Sequence, residues 1–336
     1  MSNKIHTTKK FSSLDDQIEL LKSRGLIIKD EEFAKKHLLE KNYFDLVNGF
    51  ETLMLKDSKA SNKEYEKFYF EDFIFLYSFD KKLNMEILKL LDKFEIKLKT
   101  SMAHRFCEKY FLTPTDARCY IDINKYTDPR SNHLSLPKDI AKPLNKHKIF
   151  NPSNYRGYSD FVDFCKNKYS FLATYDDPPF WMTIKVLEFG VLFKLLLGFE
   201  KDIFEKVIAD MGMDYNKDKE KFVNSIRIFI ELRNTCAHFQ LVNRFRTPNN
   251  LRIDSGMIAD LGLKTKLNLS GAPTNYELRL YDSLLVLSQF ENIKGVATLI
   301  HSYYKKCNSK RQRTLMERLF ERMGRKNLSA WIKLGT

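Results

Sequence analysis

Glycine and proline are scarce in this chain, with 12 Gly and 9 Pro among 336 residues. An all-β protein needs many tight turns, which these two residues usually supply, so their scarcity argues against such a fold. The apolar fraction of 43% is ordinary for a folded protein and excludes extended disorder. The composition therefore predicts an all-α fold with long helices.

Cysteines are few and isolated. The five form no CxxC pair, and their number is odd, so neither a zinc module nor a disulfide framework is indicated. Metal-ligating Asp and Glu residues are not clustered either. We predict a protein without a metal or another cofactor. The cysteines are Cys107, Cys119, Cys165, Cys236 and Cys307.

Long apolar runs are also lacking. The N-terminal stretch MSNKIHTTKKFSSLDD is polar and has no apolar centre, so it does not resemble a signal peptide. The longest apolar run, FGVLFKLLLGF at residues 189–199, is too short to span a bilayer. These features predict a cytoplasmic protein without a membrane partner.

Acidic residues are outnumbered, with 43 Asp and Glu against 57 Lys and Arg, which gives a formal net charge of +14. Such a charge attracts polyanions, of which nucleic acid is the commonest. More than half of the excess lies between His301 and Thr336, where ten basic residues face only Glu317 and Glu321. We predict that this stretch binds RNA, with a solvated surface helix as the alternative. The predicted RNA-binding residues are Lys305, Lys306, Lys310, Arg311, Arg313, Arg322, Arg325 and Lys326.

The spacing of apolar residues predicts four segments that together form one compact domain. Residues 1–110 form N-terminal helices, including a long helical stretch around 70–110. Residues 111–155 form an irregular basic insertion, residues 156–306 a helical core, and residues 307–336 a basic helical tail. Within the core we expect a helix that begins at Pro178 and Pro179 and a last long helix over 276–306. The insertion is marked by Pro114, Pro129, Pro137, Pro143 and Pro152, and by Lys138, Lys142, Lys146 and Lys148.

One polar stretch of the core, ELRNTCAHFQ at residues 231–240, holds an arginine and a histidine five positions apart. In an unbroken helix such residues point about 140° apart, so Arg233 and His238 would not converge. They can act together if the helix unwinds near its end, or if a second copy of the stretch faces the first. Asn234 and His238, at i and i+4, would share one face.

These residue types suit RNA cleavage by the neighbouring 2′-hydroxyl. Histidine exchanges protons near neutral pH, since its ordinary pKa is about 6.5. Arginine presents a planar, permanently charged fork to phosphate oxygens and can stabilise the charge of a phosphorane. This reaction needs no metal ion. The alternative is a helix end whose Arg and His only hydrogen-bond carbonyl groups.

RNTCAH also resembles the R-N-x-x-A-H form of the Rx4-6H signature of HEPN ribonucleases. Other stretches resemble the Abi-like abortive-infection proteins, the AbiD/AbiF group of bacterial anti-phage factors. They are the opening DQIELLKSRGLIIKDEEFAKKHLLEKNYFDLVNGF, an LY-x-FD-x-x-LR-like segment before a helix that bears Glu95, and PPFWMTIKVLEFGVLFKLL. The fourth is RNTCAHFQLVN, which continues to Asn243.

The resemblance implies a HEPN-like helical bundle with extra helices and metal-independent endoribonuclease activity. It also implies a toxin-like role in defence by growth arrest, and a structured RNA partner. By position, Arg233 would stabilise the scissile phosphate and His238 would be the general acid or base. Asn234 would orient His238 or the phosphate, and Asn243 would support them.

The chain departs from the family pattern at two points. Asn84 replaces the Arg of the LY-x-FD-x-x-LR segment, and only one clear copy of the signature is present, whereas HEPN sites usually combine two. A degenerate second half-site in KTSMAH would use Lys99 and His104, together with Glu95. Otherwise a homodimer would supply the second copy.

Two further functions stay open at this point. One is a HEPN-like protein that binds a structured non-coding RNA without cutting it. The other is a helical interaction protein whose basic tail keeps it in solution or contacts a membrane surface.

Overall fold

The computed structural model of the protein describes residues 10–132, 134, 149–264, 267–271 and 274–335. Within these ranges β-type pairing is limited to isolated bridges, such as that of Ile27 with Tyr69, and no strand is present. The prediction of an all-α fold is therefore confirmed. Four lysines of the predicted basic insertion, Lys138, Lys142, Lys146 and Lys148, lie outside the described residues.

The α-helices of the described residues differ widely in length, from four residues to 41. In chain order they are α1 Leu14–Ser23, α2 Glu31–Glu40, α3 Glu51–Met54, α4 Phe70–Tyr110, α5 Phe161–Lys168, α6 Ser170–Ala173, α7 Phe180–Thr183, α8 Phe189–Leu197, α9 Lys201–Asp210, α10 Tyr215–Ala237, α11 Ser255–Asp260, α12 Leu280–Leu287, α13 Lys294–Lys305, α14 Lys310–Met323 and α15 Leu328–Lys333. A π-helix covers Phe44–Asn48, and 3₁₀ turns cover Pro114–Asp116, Cys119–Ile121, Ile123–Lys125, Pro129–Asn132, Pro152–Asn154, Ile184–Val186 and Val242–Arg244.

Helix starts and stops follow local chemistry. Ser13 caps α1 and forms a reciprocal capping box with Asp16. Gly25, just past the end of α1, has φ of 86°, a left-handed conformation that glycine adopts without steric cost. The stretch over 70–110 is a single helix, α4.

Two predicted helices are interrupted. The segment after Pro179 is split because Leu187 and Glu188 are extended, so that Phe189 begins a new helix and packs on Phe94. The predicted helix over 276–306 consists of α12 and α13, separated by residues 288–293. Phe290 in this break packs edge-on against Phe94 and Phe229. Aromatic packing therefore overrides the helical pattern at both places.

The described residues form two compact units. One unit, the clasp unit, contains the described residues up to Glu86, His238–Phe245 and those from Lys294 onward. Its core includes apolar faces of α4, α13, α14 and α15, with Phe79 against Tyr303 and Phe320 against Trp331. The C-terminal basic stretch is thus folded, with Leu315, Leu319 and Phe320 buried.

The other unit, the helical unit, contains Ile87–Ala237 and Arg246–Ile293, within the described ranges. Helix α10 packs there on α8, α9 and α12. Phe94 of α4 lies among Phe189, Phe229 and Phe290, and these rings fix the helices that carry Glu95 and Arg233. The predicted domain boundaries at residues 110, 155 and 306 stay predictions.

Candidate functional site

The RNTCAH stretch begins on the last turns of α10 and extends just past the helix end. Leu232 and Cys236, four apart, are buried on the packed side of the helix. Arg233 is half-buried and Asn234 is exposed. The helix ends at Ala237, and His238 is an exposed turn residue. The regular helical spacing that would separate Arg233 from His238 by about 140° is therefore broken before His238.

In the helical unit, Arg233 lies beside an acidic residue of α4. Its Nε is 4.0 Å from Glu95 Oε2, and the arginine side chain stays 41% exposed. Lys99 Nζ lies 2.8 Å from Glu95 Oε1 and donates to the carbonyl of Lys185 at 3.3 Å. The structure thus brings the predicted residues Glu95 and Lys99 to Arg233. Two cations around one carboxylate form a group that can receive a phosphate.

His104 does not join this group. It is exposed, and it lies five positions after Lys99 on α4, about 140° around the helix. The neighbouring Arg105 instead donates two hydrogen bonds to the carboxylate of Asp210, at 2.8 and 2.7 Å. The predicted pairing of Lys99 with His104 in one half-site therefore involves two different faces of α4.

In the clasp unit, the chain that follows His238 is held by a buried carboxylate of α4. The Asp80 carboxylate accepts hydrogen bonds from the backbone N–H groups of Val242, at 3.1 Å, and Asn243, at 2.8 Å. It also accepts a hydrogen bond from the side-chain Nδ2 of Asn243, at 2.8 Å. Asp80 and Asn243 are both fully buried. We call this set the Asp80 network; it makes Asn243 a structural support of the turn that carries His238.

The carboxyl group of Asp80 has an unusual environment. Burial raises the pKa of this carboxyl group to about 6 and outweighs the three hydrogen bonds to its oxygens, which lower the pKa. A charge held in such a place stabilises the protein only while its donors stay in position.

The same face of α4 holds two carbonyl groups nearer to His238. Lys81 Nζ donates to the carbonyl of Phe239, and Asn84 Nδ2 donates to that of Gln240 at 3.3 Å. Asn84 stands where the resembling family has Arg, and its side chain is 1% exposed. In this chain the side chain at position 84 therefore donates a hydrogen bond to the turn that follows His238.

Gly49 and Arg322 complete the clasp unit around this segment. A Cβ atom at Gly49 would overlap the backbone carbonyl of Asp45 and the side chain of Leu241. Only glycine therefore allows Leu241 to pack this close to the backbone. Arg322 Nη1 donates to the Gly49 carbonyl at 2.8 Å and to Asn243 Oδ1 at 3.1 Å. Arg244 Nε also donates to the Gly49 carbonyl, at 3.0 Å. Arg322 was predicted to bind RNA, but its guanidinium forms hydrogen bonds to other residues of this unit.

The other residues predicted to bind RNA fall into two groups. Arg311 is half-buried, with Nη2 3.4 Å from Asp72 Oδ2, and Arg325 is half-buried and donates to the Gly324 carbonyl. The second group is exposed and consists of Lys305, Lys306, Lys310, Arg313 and Lys326. Lysines of this second group offer the most accessible charge of the stretch.

Sequence reasoning identified Arg233 and His238 but not Asp80. A signal was present, because Asp80 and Asn84 interrupt an apolar stripe of α4 that includes Leu76, Phe79 and Leu83. Polar residues at such core positions are rare unless they have partners. Their partners lie about 160 positions further along the chain, at 240, 242 and 243.

Among the residues that the structure describes, no group of three or more His, Cys, Asp or Glu is arranged to hold a metal ion. The described helices include none that is both long and apolar enough to cross a membrane.

Family comparison agrees with the motifs. The family model of the Abi-like proteins matches residues 36–242, more than half of the chain. No curated protein and no solved structure gives a significant match. The match spans Gly49, Asp80, Glu95 and the RNTCAH stretch, while Asn243 and Arg322 lie beyond it. The chain belongs to the Abi-like protein family, the abortive-infection proteins of anti-phage defence.

Proposed function

We propose that this protein is a metal-independent endoribonuclease of the HEPN type and that the RNTCAH stretch carries its chemistry. The observation that carries the proposal is an intact R-N-x-x-A-H sequence at a helix end. Arg233 is half-exposed, while Asn234 and His238 are exposed and able to meet a substrate. Packing alone does not account for this pattern, since the buried residues at this helix end are Cys236 and Leu232, which precedes the motif.

The proposed reaction starts with attack of a ribose 2′-oxygen on the adjacent phosphorus. The 2′-O–P bond forms, the P–O5′ bond breaks, and the products are a 2′,3′-cyclic phosphate and a 5′-hydroxyl. The 2′-hydroxyl loses a proton and the 5′-oxygen gains one. His238 carries one of these transfers as general base or acid, and water exchanges the other.

Arg233 stabilises the charge that develops on the phosphorane. Its guanidinium can bind two phosphate oxygens at once. The 4.0 Å separation from Glu95 is longer than a hydrogen bond, so the fork can turn to the phosphate without loss of a tight ion pair. Lys99 adds a second positive charge next to Glu95. Asn234 orients the phosphate or His238. Asn243 supports the turn that carries His238 through its hydrogen bonds to Asp80.

The expected biological consequence is toxicity that stops growth during infection. Cleavage of cellular or phage RNA would deprive phage of translation. The exposed basic residues near the C-terminus are the proposed contacts for a structured RNA that binds or regulates the enzyme. They are Lys305, Lys306, Lys310, Arg313 and Lys326.

The test is a cleavage assay with RNA-free protein and labelled single-stranded RNA in EDTA. We expect cyclic-phosphate and 5′-hydroxyl ends. A single 2′-deoxy substitution at the cut nucleotide should block cleavage there, because the nucleophile is removed. Products with 3′-hydroxyl ends, or cleavage at the 2′-deoxy nucleotide, would contradict the mechanism.

A second function, RNA binding without cleavage, is favoured by the exposed basic group alone. It predicts one discrete RNA that copurifies with the protein and no cleavage after that RNA is removed. Binding through phosphate contacts would weaken steeply with salt, because counterions are released on association.

The number of chains in the active enzyme is tested by mixing two inactive variants. Arg233→Ala and His238→Ala chains restore cleavage when mixed if each site takes its residues from two chains of a homodimer. They stay inactive if both residues of a site come from one chain.

A further inference from the structure

Phe239, the residue after His238, has a backbone conformation that disfavours its side chain. Its φ is 51°, and among the described residues it is the only non-glycine with positive φ. The left-handed region brings Cβ close to the next carbonyl oxygen, so this place just after a helix end is usually occupied by glycine. A phenylalanine there is strained.

Packing does not compensate for the strain. The side chain of Phe239 is 61% exposed, whereas Leu241 and Val242, which follow it, are 8% and 0% exposed. Leu241 and Val242 therefore pack in the core, while the aromatic ring of Phe239 remains in solvent. Strained residues of this kind concentrate at functional sites, where the surrounding structure holds them.

The surrounding structure does hold Phe239. Lys81 binds its carbonyl oxygen and Asn84 binds the next one. Asp80 fixes the backbone at Val242 and Asn243. Three side chains from one face of α4 thus determine where the ring is presented.

The residues on either side of Phe239 are polar, and its backbone is bound by a cation. His238 and Gln240, its neighbours in the chain, are exposed. Lys81 Nζ lies 5.1 Å from the centre of the Tyr77 ring and also contacts the Phe239 backbone. An exposed ring whose chain neighbours are polar, and whose backbone carbonyl is bound by an ammonium group, fits a nucleobase better than an apolar protein surface. Each base presents a π-face, and its phosphate carries a negative charge.

We propose that the ring of Phe239 stacks on a nucleobase next to the phosphate at which His238 acts. This rests on the proposed function, since it requires single-stranded RNA as the substrate. The stacking positions the sugar–phosphate backbone and makes binding depend on the presence of a base at one side of the cut. It also accounts for a phenylalanine where glycine would be less strained.

The test compares Phe239→Gly, Phe239→Leu and Phe239→Trp, each combined with His238→Ala so that RNA stays intact during binding. The probe is a labelled single-stranded RNA that contains the mapped cut, in two forms, with or without the base beside the cut. Aromatic stacking predicts roughly 5- to 100-fold weaker binding for the Gly and Leu variants. The Trp variant should bind like the parent of this series, the His238→Ala chain with Phe239 intact. Phe11→Leu, a change at a 94% exposed phenylalanine, is the matched control and should have no effect.

The abasic RNA separates stacking from other effects. Removal of the base should weaken binding of the parent and the Trp variant by a similar factor, and should leave the Gly and Leu variants unchanged. If the Gly variant distinguishes the two RNAs as the parent does, the proposed stacking is wrong.

Urea unfolding distinguishes a structural role. Phe239→Gly should unfold at the same or a higher urea concentration, because the strain is relieved. A lower midpoint together with weaker binding of both RNAs would show that the ring acts in folding, and would overturn the inference.

Failure of this inference can be told from failure of the proposed function. In the otherwise unchanged chain, cleavage that requires His238 but is unaffected by Phe239→Gly would reject only the stacking. Cleavage that persists in His238→Ala would reject the proposed function itself.

Discussion

The two ends of the RNTCAH stretch are held in different ways. In the helical unit, Arg233 is 41% exposed at its side chain and lies 4.0 Å from Glu95. In the clasp unit, the chain after His238 is fixed by fully buried hydrogen bonds of 2.8 Å between Asp80 and Asn243. One end thus carries a cation in a long, half-exposed ion pair, and the other carries a backbone held by short, buried hydrogen bonds.

This difference corresponds to the two proposed roles. A residue that stabilises a transition state must release a resting partner and meet the phosphate, so a loose ion pair suits it. A residue that transfers a proton must be placed within hydrogen-bond reach, so the backbone that carries it benefits from rigidity.

Apart from the loss of His238 itself, the largest expected effect is on catalysis at the exchangeable end. Arg233→Ala should lower cleavage by about 10²- to 10³-fold, because a preorganised stabiliser of phosphorane charge is lost. Since its ion pair is long and half-exposed, stability should change by less than about 1 kcal/mol. Initial rates on labelled RNA, with urea unfolding of the same preparations, measure both. A loss of stability as large as the loss in transition-state stabilisation would contradict the assignment of Arg233 as an exchangeable cation.

The next effect concerns stability at the fixed end. Asp80→Ala leaves two buried N–H groups of the backbone and one of Asn243 without an acceptor, so we expect roughly 2–4 kcal/mol less stability in urea unfolding. Asp92→Ala, at an exposed position of the same helix, is the control and should cost less than about 0.5 kcal/mol. Equal effects of the two variants would show that the Asp80 network does not hold the segment.

A third effect follows from the raised pKa of Asp80. The folded protein holds this proton up to about pH 6, whereas the unfolded chain releases it near its ordinary pKa of about 3.9. Between these values the folded state binds more protons, so this group's contribution to stability falls as pH rises from about 4 to 6, by up to about 3 kcal/mol. Asp80→Asn should lack this part of the pH dependence. Parallel stability–pH curves for the parent and Asp80→Asn would contradict the raised pKa.

The smallest effect is expected at the partner of Arg233. Glu95→Gln removes a carboxylate that repels phosphate, so RNA should bind about two- to fivefold more tightly when measured in the His238→Ala background. The matched control is Glu108→Gln, which removes a carboxylate from the ion pairs of Arg105 and Lys206 and should leave RNA binding unchanged. Weaker binding of the Glu95 variant would mean that Glu95 orients the cations rather than competing with RNA.

What the sequence could predict depended on how far apart the interacting residues lie. Local patterns predicted the all-α class, the long helical stretch around 70–110 and the RNTCAH motif, because helical periodicity and a short motif are properties of neighbouring residues. The end of α10 at Ala237 had no glycine or proline to mark it. The turn that follows is held by Lys81 and Asn84, which bind carbonyl groups more than 150 residues away.

The breaks at 187–188 and 288–293 were not predictable for the same reason. Both follow from aromatic contacts to Phe94, which is distant in sequence. Asp80 likewise gains its role only when the fold brings residues 242 and 243 to it. For the site, the sequence predicted the reactive residue types, while the structure was needed to identify what holds them.

The most direct test of the central claim compares two exposed histidines in one cleavage assay. His238→Ala should lower RNA cleavage in EDTA by about 10²- to 10⁴-fold, the usual contribution of a general acid or base. His104→Ala, at an exposed position on α4, should cleave at the parent rate. Cleavage by His238→Ala at the parent rate, or equal losses in both variants, would contradict the assignment of RNTCAH as a ribonuclease site.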